Sequence, residues 1–146
     1  METEKGVILI VYKEVRRSQR YAVLKRKKNW EGWELPKGHL EEDDYRETAK
    51  IELNEECRIS EDQIKDITDI EETVEWKYKQ EGKEFKKEYK AFIVKVDEET
   101  LIDTNQNPCD EHSQGFFLKK DDAEGLLTYE NNKDILEKAS KEIENN

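Results

Sequence analysis

Residues 7–13 read VILIVYK, an unbroken apolar run in a chain that is 43% charged and only 34% hydrophobic. A run this short cannot cross a bilayer, so it reads as a buried strand. A second one, YAVLK at 21–25, follows the polar, basic segment 14–20, which reads as the connecting turn. Such runs, with three Trp and six Tyr, separate the chain from the disordered sequences its charge content approaches. At 146 residues it fits one domain, 1–146, with room for one core and not for two.

Further along, WEGWELP at 30–36 is aromatic and broken by Gly and Pro, which reads as a loop with at most a short strand. Residues 44–57 read as a helix, with Asp44 as N-cap and Glu47 three positions on to complete a capping-box pattern. Two long strands at 67–79 and 84–96 join near Gly82, with AFIVKV as the buried end of the hairpin. A polar loop at 97–111, a short strand at 114–118 and helices at 121–127 and 132–143 complete the chain. In the last helix Ile135, Leu136, Ala139 and Ile143 give one apolar face. Strands interrupted by a helix and followed by terminal helices predict an α/β fold, a mixed β-sheet sandwiched between helices.

Charge narrows the function classes. A net charge of −11 argues against nonspecific binding to DNA, RNA or anionic membrane. Polyphosphates remain compatible if cations or local lysines reverse the sign at a site. The opening METEKG is acidic and polar, without a signal segment, and Cys57 and Cys109 are then expected as reduced thiols in a cytoplasmic protein.

One stretch is electrostatically odd. Residues 38–59, GHLEEDDYRETAKIELNEECRI, hold eight acidic side chains, among them Glu52, Glu55 and Glu56. Side chains three and four apart share a helix face, so these three project together, offset from an apolar stripe of Tyr45, Ala49 and Leu53. Each like-charge pair costs about 0.2–0.5 kcal/mol on an exposed helix. A solvated face on a Glu-rich protein is one reading. A cage for a hard divalent cation, which takes oxygen ligands, is the other.

The residues upstream favour the cage. With WELPKGHLEE before it, the stretch resembles the box of the Nudix hydrolases, G-x5-E-x7-R-E-U-x-E-E-x-G-U, where U is aliphatic. Gly38 matches the first Gly, Glu52 the Glu after Arg, Leu53 the aliphatic position, Glu55 and Glu56 the Glu pair, and Ile59 the last aliphatic. Departures are equally specific: the interval after Gly38 is one residue short, and Asp43 stands at the first Glu. Ile51 stands at the Arg and Arg58 at the last Gly, where a left-handed turn is expected at a cost of roughly 1 kcal/mol.

The resemblance implies a Nudix-type α/β/α sandwich with a catalytic loop–helix. It further implies a pyrophosphohydrolase using Mg²⁺ or Mn²⁺ on a small nucleotide substrate. Glu52, Glu55 and Glu56 would be catalytic and metal-binding, joined by the Gly38 carbonyl and Glu111. LPKGHLE, the later Glu111-His112 pair and the aromatic before the last helix most resemble the asymmetric diadenosine tetraphosphate hydrolase branch. On that resemblance Tyr129 would stack on a base, while Lys37, His39, Tyr78 and Lys87 would contact phosphates. Trp30 and Trp33 read equally as base platforms or loop plugs. One Cys and one His at C-x-x-H spacing do not make a zinc site. Cys57, beside the carboxylates, is a poor nucleophile.

Overall fold

The structure, a computed structural model, describes residues 1–105 and 110–145. Strands β1 (Glu2–Val15) and β2 (Ser18–Arg26) form a hairpin at their outer ends, and β3 (Gly32–Glu34) and β4 (Lys37–His39) follow. Helix α1 (Tyr45–Cys57) precedes β5 (Ile64–Gln80), β6 (Lys83–Val96), β7 (His112–Leu118), α2 (Lys120–Leu126) and α3 (Glu130–Glu144). One mixed sheet contains all the strands, in the order β3-β2-β1-β6-β5, with β4 on β1 and β7 on β2. Only β1 and β6 run parallel.

The apolar run at 7–13 is buried on both sides because alternate residues pack on the two faces of the one sheet. Val7, Leu9 and Val11 face α1, packing with Ala49, Leu53 and Cys57. Ile8, Ile10 and Tyr12 face the other layer, with Ala123, Leu127, Ile135, Leu136 and Ala139 from the terminal helices and their connection. The predicted sandwich is therefore the observed one. Leu53 is fully buried, and truncating such a side chain to Ala typically costs 2–5 kcal/mol.

A local expectation changes. The 14–20 turn contracts to Arg16 and Arg17, both left-handed (φ 53° and 68°), while the residues on either side stay paired, Glu14 with Gln19 and Val15 with Ser18. Exposed charged residues extend a hairpin as well as apolar ones when the turn geometry fits the twist. Lys13, at the end of the run, is buried; its Nζ donates to the Thr100 carbonyl at 2.7 Å and lies 4.6 Å from the Phe117 ring.

The feature that shapes the site is a splay between β1 and β2. They pair only from Tyr12–Val15 to Ser18–Tyr21; beyond that β3 takes the same edge of β2 and β4 the same edge of β1. The turn through Leu35 and Pro36 bridges the opening. The Pro36 carbonyl accepts from Leu9 N at 2.8 Å, and Leu35 N donates to Asn132 Oδ1 on α3 at 3.0 Å.

Candidate active site

At this splay a cleft of about 840 Å³ opens, and both helix layers reach it. Helix α1 starts as its sequence predicts: Asp44 is extended (φ −122°) and its carboxylate accepts from Glu47 N at 3.0 Å. It ends on Arg58 in the left-handed region (φ 59°, ψ 32°), whose N–H donates to the Asn54 carbonyl at 3.1 Å. A non-glycine residue thus carries the strained cap that the box departure at 58 demands. Between these ends the stripe of Tyr45, Ala49 and Leu53 docks on the sheet, which turns Glu52 and Glu56 inward at the edge of the core.

Glu52 lies against the backbone of β4. A Cβ on Gly38 would meet the Glu52 carboxyl carbon at 2.0 Å, so only glycine admits the carboxylate there. Glu56 is 4% exposed, and its Oε1 accepts from Lys37 N at 3.1 Å. Burial, and then the charges of Glu55, Glu41 and Glu111, push the Glu52 carboxyl up to about 8. Burial again comes first for Glu56, followed by Glu52 and Glu34; its carboxyl rises well above the usual range despite the Lys37 N–H. Burial, with the Glu56 and Glu52 charges behind it, also drives the Cys57 thiol up, so it is inert as a nucleophile.

A second carboxylate array backs the first. Glu34 from β3, 1% exposed, receives His112 Nε2 at 2.7 Å and Arg26 Nη1 at 3.2 Å, with Lys37 Nζ at 3.4 Å. Burial alone would raise its carboxyl, but the His112 hydrogen bond and the Lys37 and Arg26 charges outweigh that and hold it down at about 2. Arg26 also lies 3.6 Å from Glu111. An arginine from β2 therefore sits in the array although Ile51 stands at the box position for Arg.

The opposite wall is cationic and aromatic. Trp76 on β5 lies between Lys37 Nζ, 5.0 Å from its ring, and Lys87 Nζ at 5.8 Å, and it meets Tyr89 edge-on at 5.1 Å. Lys87 also stands 5.5 Å from the Tyr78 ring. Glu4 ties this wall together, accepting from the Tyr89 hydroxyl at 2.6 Å and pairing with His39 at 2.8 Å and Lys87 at 3.5 Å. At the far end Tyr129, the N-cap residue of α3, is half-exposed with its ring 5.1 Å from Trp30.

All ten residues singled out from the sequence line this one cleft: Glu52, Glu55, Glu56, Gly38, Glu111, Lys37, His39, Tyr78, Lys87 and Tyr129. Trp30 lines it too, whereas Trp33 packs on the core beside Phe116. Asp43 is exposed and outside the cleft, and Glu41 lines it instead, because the shortened interval ends in left-handed residues at Glu42 and Asp43. Cys109 lies outside the described residues. Sequence reading missed Glu34, Arg26, Trp76 and Tyr89, and saw His112 only within its Glu-His pair. Glu34 sits inside the loop-like WELP, and Trp76 and Tyr89 in long strands with no motif.

The donor set fits a divalent cation. One ligand atom each from Glu56, Glu111 and His112 lie within 4.8 Å of one another, and Glu52 stands beside the Gly38 backbone. Buried carboxylates that raise one another's proton affinity are arranged for a positive partner.

Comparisons with known proteins agree with the fold. A comparison with curated proteins gives no match. Among solved structures, a Caenorhabditis elegans Ap4A hydrolase binary complex is 21% identical, with a TM-score of 0.76 over 98% of this chain and 99% of that one. The Escherichia coli dihydroneopterin triphosphate pyrophosphohydrolase is 19% identical, with a TM-score of 0.74 over 94% and 97%. The NUDIX domain of Shewanella oneidensis NrtR, complexed with ADP ribose, is 10% identical, with a TM-score of 0.69 over 98% and 90%. The NUDIX domain family matches residues 3–139, and the chain belongs to that family.

Proposed function

We propose that this domain is a metal-dependent pyrophosphohydrolase of a nucleoside polyphosphate, with diadenosine tetraphosphate, split to ATP and AMP, as the favoured substrate. One observation carries the reading. A carboxylate cluster shares one cleft with Lys37 and Lys87 and with aromatic rings, Tyr129 against Trp30 and Trp76 and Tyr78 beside Lys87. A polyphosphate needs the first two features, and a nucleoside at either end needs the third. Glu52, Glu55, Glu56, Glu111 and the Gly38 carbonyl are the assigned ligands of Mg²⁺ or Mn²⁺. Such a cation, when bound, neutralises phosphate oxygens and acidifies water.

The chain's own groups do the rest. Lys37 and Lys87 bind non-bridging phosphate oxygens, His39 and Tyr78 border phosphate on the same wall, and Tyr129 holds a base by stacking. Glu55, half-buried at the cleft, takes a proton from the attacking water as its oxygen bonds to phosphorus. The bridging P–O bond breaks and its electron pair leaves with the departing phosphate. Arg26 and Glu34 orient Glu111 and His112 from behind.

A cytoplasmic setting, where nucleotides and divalent cations abound, belongs to this proposal. No described helix is long and apolar enough to cross a membrane. The test is turnover of diadenosine tetraphosphate, the nucleoside triphosphates, ADP-ribose and a capped oligonucleotide, for wild type and Glu56→Gln. Metal-dependent, unequal splitting of diadenosine tetraphosphate that the variant loses supports the whole reading; preference for another substrate changes only the leaving group. Ile51 at the Arg position favours a second reading, a nucleotide-binding module without turnover. Tight binding with no metal-dependent hydrolysis of any substrate would establish it.

A further inference from the structure

His112 is a buried polar group behind the cleft, beside Glu56, whose own chemical role the proposed hydrolysis does not specify. Its side chain is fully buried at the start of β7, and its two ring nitrogens have opposite surroundings. Nε2 stands 2.7 Å from Glu34 Oε2, and Glu34 also holds Arg26 and Lys37. That carboxylate accepts, so Nε2 carries the proton and donates. In the neutral ring Nδ1 then bears a lone pair. Nδ1 has no hydrogen-bond partner, and it stands 3.6 Å from Glu56 Oε2, too far for a hydrogen bond. A buried lone pair facing a carboxylate oxygen is unfavourable unless a cation lies between them or a proton bridges them, and 3.6 Å is too long for the proton bridge.

The spacing suits one. Bonds of about 2.1 Å put adjacent ligands roughly 3.0–3.4 Å apart. Here Nδ1 stands 3.6 Å from Glu56 Oε2, and one ligand atom each from His112, Glu56 and Glu111 lie within 4.8 Å of one another. Metal-bound histidines characteristically donate their other N–H to a carboxylate, which fixes the tautomer and strengthens the donor. Glu34 holds that place. Imidazole suits Fe²⁺, Ni²⁺, Cu²⁺ or Zn²⁺, with Mn²⁺ at the weak end of that series and useful as its paramagnetic probe, whereas Mg²⁺ keeps to oxygen.

We infer that His112 Nδ1, Glu56 and Glu111 form a mixed nitrogen–oxygen site that selects a transition-metal dication over Mg²⁺. The inference rests on the proposed role of Glu56 and Glu111 as ligands and adds a ligand and a selectivity to it. The measurement is pulsed EPR of the full chain loaded with Mn²⁺, read for nitrogen coupling rather than turnover. The chain has only two histidines, and His39 is 69% exposed on the far wall, so the assignment is direct. A ¹⁴N coupling that converts to ¹⁵N in protein labelled at histidine, persists in His39→Asn and disappears in His112→Asn is the expected result. Labelling needs no substitution, so the answer survives if His112→Asn fails to fold. Displacing half the Mn²⁺ is expected to take at least about tenfold more Mg²⁺ than Mn²⁺ itself.

Bound Mn²⁺ without nitrogen coupling overturns the inference and leaves the hydrolase reading intact. So does ¹⁵N NMR of the cation-free chain showing His112 protonated on both nitrogens at neutral pH, an imidazolium bridging Glu34 and Glu56. Nitrogen coupling in a protein that hydrolyses nothing upholds this site and sinks the enzyme reading alone.

Discussion

Replacing Glu52 with Gln should change how folding stability responds to pH. The Glu52 carboxyl rises from an ordinary 4.5 to about 8 in the fold, through burial first and then the charges of Glu55, Glu41 and Glu111. Between those values the folded chain holds a proton that the unfolded chain has released. Stability therefore falls as pH rises across that window. At 1.36 kcal/mol per pKa unit the ceiling is about 5 kcal/mol. Residual solvent access at Glu52 screens the charge, leaving roughly 1–3 kcal/mol. For a chain of this size that is about 3–12 °C in Tm. Glutamine keeps the shape and cannot ionise. In chelator, urea unfolding of wild type and Glu52→Gln should agree near the acid end of the window. By about pH 9 the variant should be the more stable by that amount. A divalent cation at about 100 times its Kd should restore about 2.7 kcal/mol to the wild type at high pH and less to the variant. Parallel pH dependences in chelator would refute the argument, because Glu52 would then carry its charge without strain.

Three further perturbations follow from the geometry. Gly38→Ala drives a methyl into Glu52, so it should cost about 1–3 kcal/mol in denaturant unfolding and weaken Mn²⁺ binding in a titration. Arg58→Gly relieves a left-handed cap and should stabilise the fold by about 0.5–1 kcal/mol, read as a higher urea midpoint at unchanged m-value, since strain outweighs the extra chain entropy of glycine. Tyr129→Ala should raise KM for a dinucleotide by about 1–2 kcal/mol, roughly tenfold, with kcat nearly unchanged, as expected for a stacking platform remote from the carboxylates; an equal fall in kcat would place Tyr129 in the chemistry instead.

Much of this architecture follows from local sequence. The two-sided burial of residues 7–13, the Asp44 cap and the alignment of Glu52 with Glu56 depend on spacing alone, and the Arg58 conformation follows from its place in the box. What escapes a linear reading depends on partners far away in the chain. Glu34 looks like a loop residue until β3 and β7 bracket β2 and bring it to His112, 78 positions on. Glu4, near the start of the chain, reveals its hold on Tyr89, His39 and Lys87 only through the β1–β6 ladder. The Arg16-Arg17 turn carries no Asn or Gly to announce its left-handed residues. Asp43 falls at the first Glu position by counting back from the helix, yet Glu41 and not Asp43 lines the cleft, because the interval between them and Gly38 differs in length from the pattern.

The parallel pairing of β1 with β6 also sets an order of events during folding. Glu2 aligns with Phe85 and Tyr12 with Lys95, so the central ladder closes only after more than half the chain is available. The β1–β2 and β5–β6 hairpins join neighbours in sequence and close quickly, whereas the ladder between them is non-local and slow. On the ribosome, helix α1 thus emerges with its glutamates before Trp76, Tyr78, Lys87 and Tyr89 of the opposite wall exist. Those carboxylates remain hydrated, repel one another weakly and titrate as ordinary acids until β6 docks. The electrostatic tension of the cleft is acquired in that closing step.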